Sequence, residues 1–194
     1  MSFTLCNNSS INLNFIIHVL NKYNEEELFS KDGFLDRKEL ESNARNTWNT
    51  IIEDFQKSFR ETGNDSFVQW DIRCIRKKDL FKVLFKDTEI GYNTFLDIWD
   101  NYYKQWYEKY QSIIFQKTDE IIPDIYKLVY DKLAIKNINP TGNFGIQIIL
   151  GNIPNGFTTK GCIFTIEPID NFSDKNKIIE VSERVYKLIC ATIK

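Results

Sequence analysis

Glycine and histidine are scarce in this chain, and each shortage removes a class of chemistry. The 194 residues include 8 glycines and 1 histidine. None of the glycines falls in the spacing of a phosphate-cradling P-loop or of a dinucleotide-binding turn, so ATP hydrolysis and nicotinamide redox chemistry drop out as leading readings. His18 is the one imidazole, the side chain that general acid–base catalysis and metal sites most often recruit. It lies on an apolar helical pattern, where a structural role is the simpler reading. No Gly-x-Ser-x-Gly turn exposes a serine, so nucleophilic hydrolysis finds no support.

Cysteine pairs and long apolar runs are also missing. Cys6, Cys74, Cys162 and Cys190 stand far apart and form no C-x-x-C, which argues against zinc and redox motifs and for reduced core residues. No window approaches the roughly 18 consecutive apolar residues of a membrane span. The first twenty residues lack a basic start and a small-residue cleavage site, and Asn12, Asn14 and His18 interrupt their apolar run. No signal peptide is read there, and the expectation is a soluble, cytoplasmic protein with no membrane association. The net charge of -2 speaks against a generally basic protein that coats nucleic acid.

What is present is aromatic. Phe, Trp and Tyr make up 14% of the chain, against 42% hydrophobic and 27% charged residues, a composition that folds. Residues 1–194 are read as a single domain. From Tyr92 to Gln116 an aromatic residue recurs on nearly every helical turn, with Phe95, Trp99, Tyr102, Tyr103, Trp106 and Tyr110 at three-and-four spacing. Other helices are expected over Ile11–Tyr23, capped by Ser9 or Ser10, and after Asp36, where Leu40, Ala44, Trp48, Ile51, Ile52, Phe55 and Phe59 form one stripe that Gly63 and Asn64 end. A separate helix is expected from about Glu120 to Lys132, capped by Asp119 with Pro123 in its first turn. The last helix is read as capped by Ser173, with Ile178, Val181, Val185, Leu188, Ile189 and Thr192 on one side.

Strand patterns occur over Phe67–Ile75, where Val68, Trp70, Ile72 and Cys74 alternate with polar residues, and over Phe144–Leu150 and Cys162–Glu167. Leu80–Lys86 fits strand or helix, and the reading leans to a hairpin turned by Arg76–Asp79. The last two strands read as a hairpin with a long loop. The expected fold class is α+β: a small, mainly antiparallel sheet of about four strands packed against long amphipathic helices.

Two surfaces could carry function. Tyr102, Trp106 and Tyr107 widen the aromatic stripe beyond what one buried face needs, and Phe157 sits in a long polar loop; Trp and Tyr are enriched where interfaces concentrate binding energy. These four are the candidate partner-binding residues of a non-enzymatic factor that binds another protein, of an inhibitor, immunity or accessory type, with no cofactor, catalytic residue or metal ligand assigned. The alternative is a nucleic-acid-binding protein, extending to a metal-dependent nuclease, that grips phosphates with Arg73, Arg76, Lys77, Lys78 and Lys82 near Asp71. Against the nuclease, no Asp/Glu-x-Lys triplet follows on a strand. A third class is a small-molecule pocket between helices and sheet, which nonlocal side chains would build.

Overall fold

A computed structural model of the chain describes residues 2–25, 33–62, 77–161 and 163–193, with the side chains of 24, 25, 58–62, 77, 78 and 107 outside that description. Three strands, β1 (Ser2–Asn8), β2 (Thr141–Ile149) and β3 (Phe164–Pro168), form one sheet in the order β1-β2-β3. Both pairings are parallel: Ser2 lies opposite Thr141, and Gly145 opposite Phe164. The helices among the described residues are α1 (Ile11–Glu25), α2 (Arg37–Thr62), α3 (Lys77–Leu84), α4 (Glu89–Gln105), α5 (Gln111–Ile135) and α6 (Lys175–Thr192). A π-helical stretch, Trp106–Tyr110, joins α4 to α5, and a 3-10 turn, Ile169–Phe172, precedes α6.

The mixed helix-and-sheet class holds, but the expected, mainly antiparallel sheet of about four strands is corrected: among the described residues the sheet has three strands, all parallel. The reason lies in the connection between β2 and β3. It does not reverse directly into an antiparallel neighbour; it runs along α2, where the Phe157 ring meets Trp48 edge-on at 5.4 Å. Trp48 Nε1 donates to the Thr158 carbonyl at 2.9 Å, and Thr158 Oγ1 donates to Asn49 Oδ1 at 2.9 Å. The chain is thereby carried back before β3 begins, so β3 enters beside β2 in the same direction. Gly151 and Gly156, at φ 88° and 81°, make the turns that start this route. Among the described residues the antiparallel contact on the sheet is an isolated bridge between Lys160 and Thr165.

Helices cover both faces of the sheet, as a parallel sheet requires. Every residue of β2 from Phe144 to Ile149 is buried. On one face Phe3 stacks on Tyr126 of α5 at 4.7 Å, and Glu167 meets Arg184 of α6. On the other, Phe164 packs edge-on against Phe55 of α2 at 4.8 Å. The buried Asn14 of α1 ties that helix to the end of β2: its Oδ1 accepts from Leu150 N at 2.6 Å while its Nδ2 donates to Ser10 O at 2.8 Å. Asn12 and Asn14, which break the apolar run in sequence, are both buried.

Local signals translate directly for α1 and α2. Ser10 Oγ accepts from Leu13 N at 3.1 Å, and Asp36 Oδ1 accepts from Glu39 N at 3.0 Å. Leu40, Ala44, Trp48, Ile51, Ile52 and Phe55 are all buried, as their stripe predicts. Three helix boundaries are corrected. Leu80–Leu84 belongs to helix α3 and not to a hairpin strand, with Leu80, Phe81 and Leu84 buried at helical spacing and only Phe85 forming a bridge, to Phe34. Asp119 caps nothing, because α5 runs through it with Pro123 inside the helix. The cap of α6 is Asp174, whose side chain accepts from Asn176 N and Lys177 N, while Ser173 Oγ donates backwards to Asp170 O. The expected strand over Phe67–Ile75 lies outside the described residues.

Candidate functional site

Where the edge of β3 meets the second half of α6, the fold leaves a cleft of about 720 Å³, within the range of small-molecule sites. Its polar wall is built on Glu167, which projects from β3 with only 2% of its side chain exposed. A buried carboxylate is costly unless it is paired and hydrogen-bonded. Here Arg184 supplies a two-point bond, Nε to Oε1 at 2.8 Å and Nη2 to Oε2 at 2.7 Å, and Asn171 Nδ2 donates to Oε2 at 2.8 Å. The short 3-10 turn after β3 places Asn171, and α6 places Arg184.

Arg184 is half turned to solvent, with 41% of its side chain exposed. Its pKa lies above the ordinary guanidinium value, chiefly through the hydrogen bond to Glu167, with burial opposing. One helical turn earlier, Glu180 Oε2 stands 3.8 Å from Arg184 Nη1, beyond hydrogen-bond distance. Lys160 and Lys187, both exposed, also line the cleft, and neither makes an ion pair among the described residues. Ile153, Pro168, Leu188 and Ala191 contribute the apolar wall. Thr165 Oγ1, on the same sheet face as Glu167, is buried without a hydrogen-bond partner.

Those residues proposed from sequence that the structure describes lie elsewhere. Tyr102 is 2% exposed and donates its hydroxyl to Ile11 O at 3.1 Å; Trp106 is 4% exposed and lies 5.9 Å from the Tyr102 ring. Phe157 is buried between Trp48 and Arg45, whose guanidinium carbon stands 5.9 Å from its ring. The side chain of Tyr107 lies outside the described residues. On the same long helix the exposed aromatic and aliphatic residues include Tyr92, Tyr103, Ile113 and Phe115, with Ile90, Tyr130 and Ile135 nearer its ends. Of the basic set, Lys82 is exposed on α3, Lys77 and Lys78 open that helix, and Arg73, Arg76 and Asp71 lie outside the described residues.

His18 does not belong to the cleft. It packs 5.0 Å from the Tyr102 ring beside Lys22, and burial, reinforced by the Lys22 charge, lowers its pKa from 6.5 to about 4.

Leu188 and Thr192 were legible as one side of the last helix, but Glu167, Asn171 and Arg184 did not stand out as a site, although one signal was there. In Cys162–Pro168, CIFTIEP, a lone glutamate closes an apolar strand pattern, and a carboxylate in a buried strand demands a cationic partner. Sequence does not say which of 25 lysines and arginines provides it. Comparison with protein-family models, with curated proteins and with solved structures gives no match to this chain.

Proposed function

We propose that the chain is a non-enzymatic binding protein whose recognition site is the cleft between β3 and α6, and that its ligand is a small molecule. The observation that carries this reading is the preorganised polar wall: Glu167, Arg184 and Asn171 hold one another in fixed geometry at the edge of a cavity of about 720 Å³. A fixed polar group beside an apolar wall is the usual anatomy of a small-molecule site. Binding is favoured over catalysis because the buried carboxylate is fully engaged by Arg184 and Asn171, and the one imidazole lies in another part of the fold. A fragment screen followed by amide chemical shifts tests this. Shifts should gather at Thr165, Glu167, Arg184 and Leu188; a screen that perturbs none of them removes the reading.

A second reading keeps the protein-binding function on the long helix. The observation in its favour is that Tyr92, Tyr103, Ile113 and Phe115 remain exposed on it. It predicts that a Tyr103→Ser and Phe115→Ser double variant keeps its thermal stability and loses its partner. The nucleic-acid alternative is tested by titrating labelled oligonucleotides at low and raised salt, where absence of salt-sensitive binding removes it.

A further inference from the structure

We infer that the ligand of the cleft is an organic acid with an apolar body, whose carboxylate is received by the outward edge of the Arg184 guanidinium. This deepens the proposed function and rests on it.

Charge and geometry agree on the sign. Both carboxylates that line the cleft, Glu167 and Glu180, lie against Arg184, whereas Lys160 and Lys187 have no acidic partner among the described residues. The uncompensated charge of the site is therefore positive. Arg184 carries five N–H groups. Two are spent on Glu167, and among the described residues the acidic oxygen facing Nη1 is the distant one of Glu180. A guanidinium fixed from behind by a buried carboxylate loses little further freedom when it forks onto a second planar oxyanion in front. Glu167 is thus a positioning residue: it aims Arg184 and touches no ligand.

The apolar side of the cleft fixes the rest of the molecule. Ile153, Leu188 and Ala191 offer no hydrogen bonds, so inorganic anions and sugars would leave this wall unused, while an aliphatic or aromatic acid covers it.

Octanoate, octanamide and octylamine are probes of one length and three charge states, and calorimetry with the full chain, backed by amide shifts, separates them. Octanoate should bind about tenfold more tightly than octanamide, and octylamine most weakly. Glu180→Gln removes the competing carboxylate and should strengthen octanoate binding a few-fold. Replacing Arg184 alone strands a buried charge, so the pair is removed together as Glu167→Gln with Arg184→Met. That variant should bind octanoate and octanamide alike. Equal binding of octanoate and octanamide by the parent protein, a preference for octylamine, or weaker octanoate binding in Glu180→Gln would overturn the inference and leave the cleft reading standing. If none of the three probes moves the amides of Thr165, Glu167 or Leu188, the cleft reading falls too.

Discussion

Trp106 and Tyr103 stand three residues apart in one continuous helix and meet opposite surroundings. Trp106 is 4% exposed and Tyr103 44%. Truncation should separate them: Trp106→Ala removes a buried indole and should cost about 3 to 5 kcal/mol, while Tyr103→Ala should cost under about 1 kcal/mol. Urea unfolding of the two variants measures this; similar losses would contradict the assigned packing. His18 makes a second residue-scale prediction. Its pKa is lowered in the folded protein, so the fold favours the neutral ring. Its contribution to stability is complete above pH 6.5 and is lost as pH falls through about 4. The measurement is the difference between parent and His18→Gln, which cancels what the rest of the chain contributes. The variant should lose less stability between neutral pH and pH 4, and NMR should find the His18 midpoint well below 6.5. A midpoint at the ordinary value would refute the packing described here.

Elements were legible in sequence where local physics decides them. The stripe from Leu40 to Phe55 and the caps at Ser10 and Asp36 need only neighbouring residues, and each has the role expected. Strand pairing depends on distant residues, and β1 shows why it fails. Phe3 and Leu5 alternate for too few residues to signal a strand, and their partner segment begins at Thr141. The run FGIQIIL held a readable clue to direction, since a strand that is apolar but for Gln147 suits a parallel sheet covered on both faces better than a hairpin. The cleft was illegible for the same reason as β1: Glu167 and Arg184 acquire their meaning only when β3 and α6 dock. Gly91, silent in sequence, meets a requirement of the turn before its own helix; a Cβ there would sit 2.1 Å from the carbonyl oxygen of Lys86, five residues earlier.

Pro123 gives the element-scale prediction. It was expected to start a helix and instead lies inside α5, where its ring leaves the Asp119 carbonyl without the usual helical donor. The position is exposed, so no core packing depends on the ring. Pro123→Ala should restore the hydrogen bond and stabilise the protein by about 1 to 3 kcal/mol, less whatever the loss of chain stiffness in the unfolded state subtracts. A melting temperature that stays level or falls would mean that the helix uses a bend at this point.

At the scale of the whole molecule, the topology places its hardest step at the N-terminal strand. Among the described residues β1 pairs only with β2, and α1 to α5 lie between them: Ser2 and its partner Thr141 are 139 residues apart, against 80 for Phe15 and Phe95 in the helices. Phe15 of α1 meets Phe95 and Trp99 of α4 at 6.1 and 4.7 Å, and α4 continues without interruption into α5. Loop-closure entropy delays long-range parallel pairing until such helical packing has drawn its ends together. The docking of β1 onto β2 therefore belongs after the folding transition state. Phe3, 6% exposed and stacked on Tyr126, reports on that step, and Phe95 reports on the helices. Phe3→Leu and Phe95→Leu should each destabilise by about 1 kcal/mol or more. In stopped-flow experiments the Phe3 variant should mainly accelerate unfolding, with a φ-value near zero, and the Phe95 variant should slow folding. A Phe3→Leu variant that folds more slowly by its full equilibrium loss would show instead that the sheet forms first and that the helices are gathered onto it.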